Sequence, residues 1–437
     1  MHDQASILKT NISLYWIVCA ASLGGLLFGF DAGVISGCDQ AVQKEFALAP
    51  FWHGLVMAGA LIGTVFGALA AGKMCDILGR KPTLVWMGIL FFVSAAGCAV
   101  TPGGKVLGPH VLAWMRFIGG IGTGGVSVAV PMYIAEIAPP KKRGRLVLVY
   151  QFCIVLGIVV SYISNYCVER WLAMSPEVVW RVMLGAECLP CVMYLAALVK
   201  VPESPHQARV EASAPLFVRR NMRPIMLCFV VAFFSQLSGV NAVNFYSPRI
   251  FGMIFGEGSK LVSLAGTIGV GIVNLVFTML AFFLIDRFGR RPLLISGCAS
   301  MAAMHGLVAW QISLGANCTP WLAVAGVYGF IASVAFSASA VIWVFISEIF
   351  PPDVRAKGQS FGGMVHWVMC MLVTWLFPVV AKDTGTYAFA FFAAMMLIEM
   401  FWAIFAMPET KGRSIESTAL RCGIIFSFQT NKKGKNR

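Results

Sequence analysis

Long apolar blocks alternate with short polar and basic connections along this chain. Six blocks occupy the first half, near 13–37, 52–72, 82–101, 108–135, 146–166 and 179–200. Six more lie near 223–251, 261–285, 292–314, 321–349, 358–381 and 386–407. An α-helix rises about 1.5 Å per residue, so roughly 20 apolar residues cross the ~30 Å hydrocarbon layer of a bilayer. The pattern predicts an all-α polytopic membrane protein with twelve transmembrane helices. The first block follows a short polar N-terminus and is not followed by a small-residue cleavage site. It therefore reads as a retained helix rather than a secretion signal.

Composition agrees with that class and excludes others. Of 437 residues, 59% are apolar and only 12% charged, against about 25% charged in soluble domains. The net charge of +14 could suggest a nucleic-acid partner, but the basic residues are placed otherwise. Both termini and the connections on their side of the membrane hold 25 of the 33 Lys and Arg residues. Basic residues concentrate on the cytoplasmic side, so both termini are expected in the cytoplasm, with anionic lipid as the partner of the positive charge. The thirteen cysteines are scattered and mostly inside spans. Cys188 and Cys191 form a C-x-x-C pair, but in an apolar helix, so they read as small buried hydrophobes rather than metal ligands. No metal cluster, nucleophile–base pair or phosphate loop has suggestive spacing, which argues against an enzyme and implies no cofactor.

The connections repeat. "DILGRKP" at 76–82 returns as "DRFGRRP" at 286–292, "EIAPPKKR" at 136–143 as "EIFPPDVR" at 348–355, and "PESP" at 202–205 as "PETK" at 408–411. The copies stand 210, 212 and 206 residues apart, so they are nearly collinear. Each half therefore holds six spans in the same order, as expected of two bundles that rock about a midplane site. The expected division is 1–200 for the first bundle, 201–222 for a short linker, 223–407 for the second bundle and 408–437 for a tail.

Charges recur at corresponding places in the two copies. Asp76, Arg80, Glu136 and Arg143 sit at the cytoplasmic ends of the first copy, with Gly72, Gly79 and Lys81 beside them. Asp286, Arg290, Glu348 and Arg355 repeat the set. Duplication favours an inter-helix charge network that forms in one state and breaks in another over simple solvated loop charge.

"GGLLFGFDAGVISG", "PMYIAEIAPPKKRGRL", "PESP", "QLSGVNAVNFYSP", "DRFGRRP", "EIFPPDVR" and "PETKGRS", in this order across residues about 20–414, together resemble the sugar porter family of the major facilitator superfamily. GRRP alone is shared superfamily-wide; the ordered set is specific. The resemblance implies the major facilitator fold, alternating access and monosaccharide transport, and the match is to its bacterial-type, proton-coupled members.

Asp31 lies in the first span, where a central acid costs about 2.5–3.5 kcal/mol on insertion scales. Arg116 in span four and Glu187 in span six are two further ionisable residues set in apolar sequence in this half. An acid beside an arginine can stay charged and paired, and an acid that separates from its partner in one state can exchange a proton there. By resemblance, proton-coupled members carry an acid at the Asp31 position and facilitative members a neutral residue. A static ion pair locking helices one and four is the alternative.

A sugar needs amides for its hydroxyls, since amides both donate and accept, and aromatic rings for its C–H face. Gln151, Gln236, Asn241 and Asn274 are the amide candidates, Trp343 and Trp367 the platform, and Phe28 the opposite wall. All match sugar-lining positions of the family. "SGVNA" in span seven can break the helix. Ser235 and Asn244 either add polar contacts or pack.

Several residues depart from the family. Ser235 precedes Gln236 where a second glutamine is usual. His366 stands where an amide usually lines the pocket; it either hydrogen-bonds a hydroxyl or packs against a neighbouring helix. Span ten carries Ser339 and Ala340 in place of a Gly-Pro break, so a stiffer hinge is expected. "PESP" runs into "HQARVEAS", leaving no room for a cytoplasmic helical bundle. The leading expectation is a monomeric monosaccharide–proton symporter of the plasma membrane, with the proton as coupling ion. A facilitative uniporter of the same fold is the alternative, and a non-transporting sugar sensor a third. Hexose, pentose and inositol remain open as substrates.

Overall fold

The computed structural model describes residues 13–139, 142–172, 175–204, 215–256, 260–351, 354–381 and 385–411. The centre of the expected linker, the basic tail and the side chain of Asp286 lie outside the described residues.

The first repeat comprises α1 (Leu14–Phe46), α2 (Pro50–Leu78), α3 (Arg80–Ala99), α4 (Leu107–Ile137), α5 (Arg143–Trp171), α6 (Pro176–Gly185) and α7 (Cys188–Val199). The second comprises α8 (Met222–Leu237), α9 (Val240–Phe255), α10 (Lys260–Phe288), α11 (Arg290–Ser313), α12 (Pro320–Phe336), α13 (Ala338–Ile349), α14 (Arg355–Val380) and α15 (Thr386–Phe405). The pairs α6–α7, α8–α9 and α12–α13 each make one broken span, so the described residues contain twelve segments long and apolar enough to cross a membrane. The chain is an all-α polytopic membrane protein built as two six-helix repeats. Large apolar side chains such as Phe283, Trp321 and Phe405 are exposed, as expected of surfaces that meet hydrocarbon rather than water.

The breaks have local causes. At Gly239, φ is +80°, a left-handed conformation that glycine adopts without Cβ strain. It separates α8 from α9, where "SGVNA" predicted a break. The tenth span breaks as well, at Ser337, with φ −118° and ψ −86°, although Gly-Pro is missing. The Ser337 hydroxyl donates to the Ser333 carbonyl at 2.5 Å. That bond gives the carbonyl a partner within the broken turn, as serines do for freed backbone groups in membrane helices.

Within each repeat the helices approach closely through small residues, the usual means of packing where lipid removes the hydrophobic drive. In the first, α4 crosses α2 so tightly that a Cβ on Gly120 would lie 1.9 Å from the Ala60 carbonyl oxygen. A Cβ on Gly29 of α1 would lie 1.8 Å from the Ile154 carbonyl oxygen of α5. Between the repeats, α1 packs on α9, α2 on α14 and α5 on α10. The polar contacts across this seam gather near one membrane face. Trp375 Nε1 donates to the Phe51 carbonyl at 3.1 Å, Tyr162 Oη to the Asn244 carbonyl at 3.0 Å, and Lys260 pairs with Glu169 at 2.7 Å.

Overpacking by one methyl typically costs about 1–3 kcal/mol. Gly120→Ala is expected to lower the melting temperature in detergent by several degrees. Gly72→Ala, where the added Cβ meets nothing within 4 Å, should leave it within a degree. Equal melting temperatures for the two variants would contradict the close α2–α4 crossing.

Candidate functional site

Where the broken spans meet the intact ones, a cavity of about 190 Å³ opens between the repeats. Phe28 of α1 and Gln151 of α5 line it from the first repeat. Gln236, Asn241, Asn274, Trp343, His366 and Trp367 line it from the second. All eight residues proposed from the sequence for the pocket therefore surround one space. Ser235 and Asn244 also reach it.

The breaks orient the amides. Gln236 ends α8 and Asn241 begins α9, so the turn at Gly239 sets them face to face. Asn241 Nδ2 donates to Gln236 Oε1 at 2.5 Å, and Gln236 Nε2 donates to His366 Nδ1 at 3.0 Å. The departure at His366 thus leaves a polar contact in place, with the imidazole tying α14 to the amide pair. Thr278 donates to Asn274 Oδ1 at 3.2 Å. Aromatic rings form a continuous wall: Trp343 lies 4.9 Å from His366, His366 lies edge-on to Trp367 at 5.2 Å, and Trp367 lies 5.8 Å from Phe28.

Asp31 shares this cavity wall but is only 2% exposed. Arg116 Nη1 donates to its Oδ1, and Arg116 Nη2 to its backbone carbonyl at 3.3 Å. Thr123 adds a hydroxyl donor to Oδ2 at 3.4 Å. Charges in so dry a place persist only when paired. Glu187, at the break between α6 and α7, is equally buried and within electrostatic reach of both members of the pair. Its Oε1 has no hydrogen-bond partner, and neither has Arg116 Nε. The site therefore holds two acids and one guanidinium, with only one acid engaged.

The repeated loop motifs build matching caps at the opposite membrane face from the Trp375 and Lys260 contacts. Arg80 Nη2 donates to Glu136 Oε1 at 2.9 Å, and its Nη1 donates to Asp76 at 3.2 Å and to the Cys75 carbonyl at 2.8 Å. In the second repeat Arg290 Nη2 donates to Glu348 Oε1 at 2.9 Å and its Nη1 to the Ile285 carbonyl at 3.2 Å. Arg143 is exposed and stands outside the first cluster. Arg355 stands outside the second, its Nε and Nη2 without partners. Among the described residues, neither arginine joins these clusters in this conformation. Both begin their helices beyond the turns that carry Glu136 and Glu348.

The acids of "PESP" and "PETK" have a role that the motifs alone do not reveal. Glu203 accepts from the backbone N–H of Arg80 at 2.8 Å, and Ser204 Oγ donates to Glu136 at 2.5 Å. Glu409 and Thr410 repeat this: Thr410 Oγ1 donates to Glu348 at 2.6 Å, and Glu409 accepts from the N–H groups of Arg290, Arg291, Thr410 and Lys411. These carboxylates cap the first turns of α3 and α11, where free N–H groups concentrate positive charge. Partial burial opposes ionisation of Glu409, but the four backbone N–H groups overcome it and hold its carboxyl below the usual value of 4.5. The reading also passed over Asp39, His53 and Arg249, which meet near the Trp375 face; polar residues at the margins of hydropathy blocks were their only signal.

Among the described residues, twelve spans in two repeats around a central cavity lined by amides and aromatic rings define a solute transporter of the alternating-access type. The sequence matches the Sugar (and other) transporter family over residues 16–211 and 206–420, and the chain belongs to that family. It is 31% identical to the D-xylose-proton symporter of Escherichia coli K12 over 470 residues, covering 92% of this chain and 94% of that one. It is 32% identical to the glucose facilitated diffusion protein of Zymomonas mobilis, covering 91% and 94%. The inward-open structure of the xylose transporter XylE from E. coli superimposes with a TM-score of 0.83 at 30% identity, over 94% of this chain and 100% of that one.

A carboxylate with a lowered pKa stabilises the fold above its unfolded value and loses that contribution as pH falls through its folded value. Wild type should therefore lose stability relative to Glu409→Gln as pH drops below about 4.5, the two melting temperatures converging in acid. At pH 7 the variant should melt lower, by the equivalent of about 1–2 kcal/mol for a charge-assisted cap. A constant gap from pH 7 to pH 3 would remove Glu409 from the capping role.

Proposed function

We propose that this protein imports a neutral monosaccharide together with a proton across the plasma membrane. The carrying observation is that Asp31, paired with Arg116, forms part of the wall of the cavity that would hold the sugar. The cavity is sized for one small solute and lined by amides, hydroxyls and aromatic rings, and no Lys or Arg is among its described lining residues. That chemistry suits an uncharged polyol and gives a phosphorylated or anionic sugar no counter-charge. One chain supplies the whole cavity, so the working unit is read as a monomer.

The basic connections support a reading with the Arg80 and Arg290 face in the cytoplasm with both termini, and the Trp375 face outside. The contacts across the seam then close the outer side, in keeping with the likeness to an inward-open structure. Asp31 takes its proton while the cavity faces outward. Protonation removes the charge that holds Arg116, whose other acidic neighbour is Glu187. Once the bundles tilt, loss of the proton to the cytoplasm restores the Asp31–Arg116 pair. One charge crossing 100 mV supplies about 2.3 kcal/mol, enough for roughly a 40–50-fold sugar gradient at about 1.4 kcal/mol per factor of ten. The Arg80 and Arg290 clusters serve as the cytoplasmic gating network: they stiffen the inner helix ends in this state, while Arg143 and Arg355 stand ready to pair when the inner side closes.

The facilitative reading keeps support from the resemblance to the Zymomonas facilitator. Uptake into proteoliposomes, with and without an imposed pH gradient, separates the two. Wild type should accumulate sugar and lose accumulation with a protonophore. Asp31→Asn should keep exchange and lose accumulation. Wild-type accumulation by that variant would end the coupling role of Asp31, and protonophore-insensitive uptake by the wild type would favour the uniporter.

A further inference from the structure

Above the sugar cavity, near the proposed outer face, sits a second buried charge cluster that the coupling mechanism does not use. Asp39 lies two turns beyond Asp31 on α1 and is 1% exposed; His53 of α2 is fully buried. His53 Nε2 meets Asp39 Oδ1 at 2.6 Å. From the other repeat, Arg249 of α9 donates to Asp39 through Nε to Oδ2 at 2.7 Å and through Nη2 to Oδ1 at 3.1 Å. Its Nη2 also donates to Gln43 Oε1 at 2.5 Å. Its guanidinium lies 5.8 Å from the ring of Tyr246, whose hydroxyl donates to the Thr374 carbonyl of α14 at 3.0 Å. The forked ion pair thus ties α1 to α9, with α2 joined through His53 and α14 through the Tyr246 hydroxyl.

We infer that Asp39 and Arg249 form an outer latch, oriented by His53 and Gln43, which must open whenever the cavity faces outward. The two charges belong to different bundles, so outward opening separates them, whereas the pairs around Arg80 and Arg290 each lie within one repeat. A buried pair is weakened far more by deleting one partner than by replacing both with neutral groups, because a single deletion strands the other charge. A stranded charge is relieved by water, and water reaches this position when the outer mouth opens. Single neutralisation should therefore shift the protein toward its outward-facing form, and double neutralisation should shift it back.

The inference rests on the orientation proposed above, and the test separates the two. Ile158→Cys places a thiol on the cavity wall. Intact cells carrying the full-length chain are treated with a membrane-impermeant maleimide, and labelling of the parent without this cysteine is subtracted. Inverted vesicles of the latch-intact protein should label readily, which fixes the orientation independently of the latch. From outside, Asp39→Asn and Arg249→Gln are each expected to raise labelling at least fivefold. The Asp39→Asn/Arg249→Gln double variant should label less than either single one, a coupling that independent sites do not produce. Singles that label like the latch-intact protein overturn the inference, as does a double variant that labels as strongly as the singles. Should the single variants fail to fold, Gln43→Ala, which withdraws one acceptor from Arg249, carries the test. A smaller but clear rise supports the latch and unchanged labelling overturns it.

Discussion

A charge taken out of water must find an opposite charge or give up its own, and the Asp31–Arg116 pair is where this chain meets that requirement. Both residues are almost fully buried, on helices α1 and α4 that otherwise carry small and apolar side chains through this depth. Removing either partner would leave a desolvated charge, so the pair holds α1 and α4 in register as long as Asp31 is ionised. In the proposed coupling, Glu187 gives Arg116 a second acid within electrostatic reach.

The two repeats share a plan but divide the chemistry. The displacement of 210 residues that carries "DILGRKP" onto "DRFGRRP" also carries Asp31 onto Asn241. The first copy thus has a titratable acid where the second has an amide that hydrogen-bonds Gln236. The proposed proton site and most of the polar lining of the cavity consequently belong to different bundles. A solute held between them contacts both, so its binding favours arrangements in which both walls reach it. Coupling then requires only that the charge on Asp31 change how one bundle sits against the other.

Much of this was legible in the sequence because it depends on residue type and period. Hydropathy located the twelve spans, the loop repeats revealed the duplication, and the family resemblance placed eight side chains that do surround one cavity. What escaped depends on which neighbour a residue meets. A hydropathy block stops at the first polar residues, so the first span was ended at 37, whereas α1 runs to Phe46. The helix continues because Arg249, distant in sequence, satisfies Asp39. The roles of Glu203 and Glu409 were hidden for the same reason: each caps a helix more than a hundred residues earlier in the chain. Ser339 and Ala340 suggested a stiff tenth span, yet the break falls at Ser337, where a side-chain hydroxyl serves a turn that proline would otherwise enforce.

Ion pairs at the two membrane faces differ in kind, and the difference bears on how a small chemical event becomes a large movement. The Arg80 and Arg290 clusters lie each within one repeat and tie helix ends to the segments that follow the sixth and twelfth spans. They resist bending inside a bundle. The Asp39–Arg249 contact crosses between bundles and opposes rotation directly. Rigid bundles joined by a breakable seam concentrate deformation at the seam and at the three broken spans, two of which contribute residues to the cavity. Loss or gain of one charge at Asp31 can then bias the whole seam, because the bundles offer few softer places for the strain to dissipate.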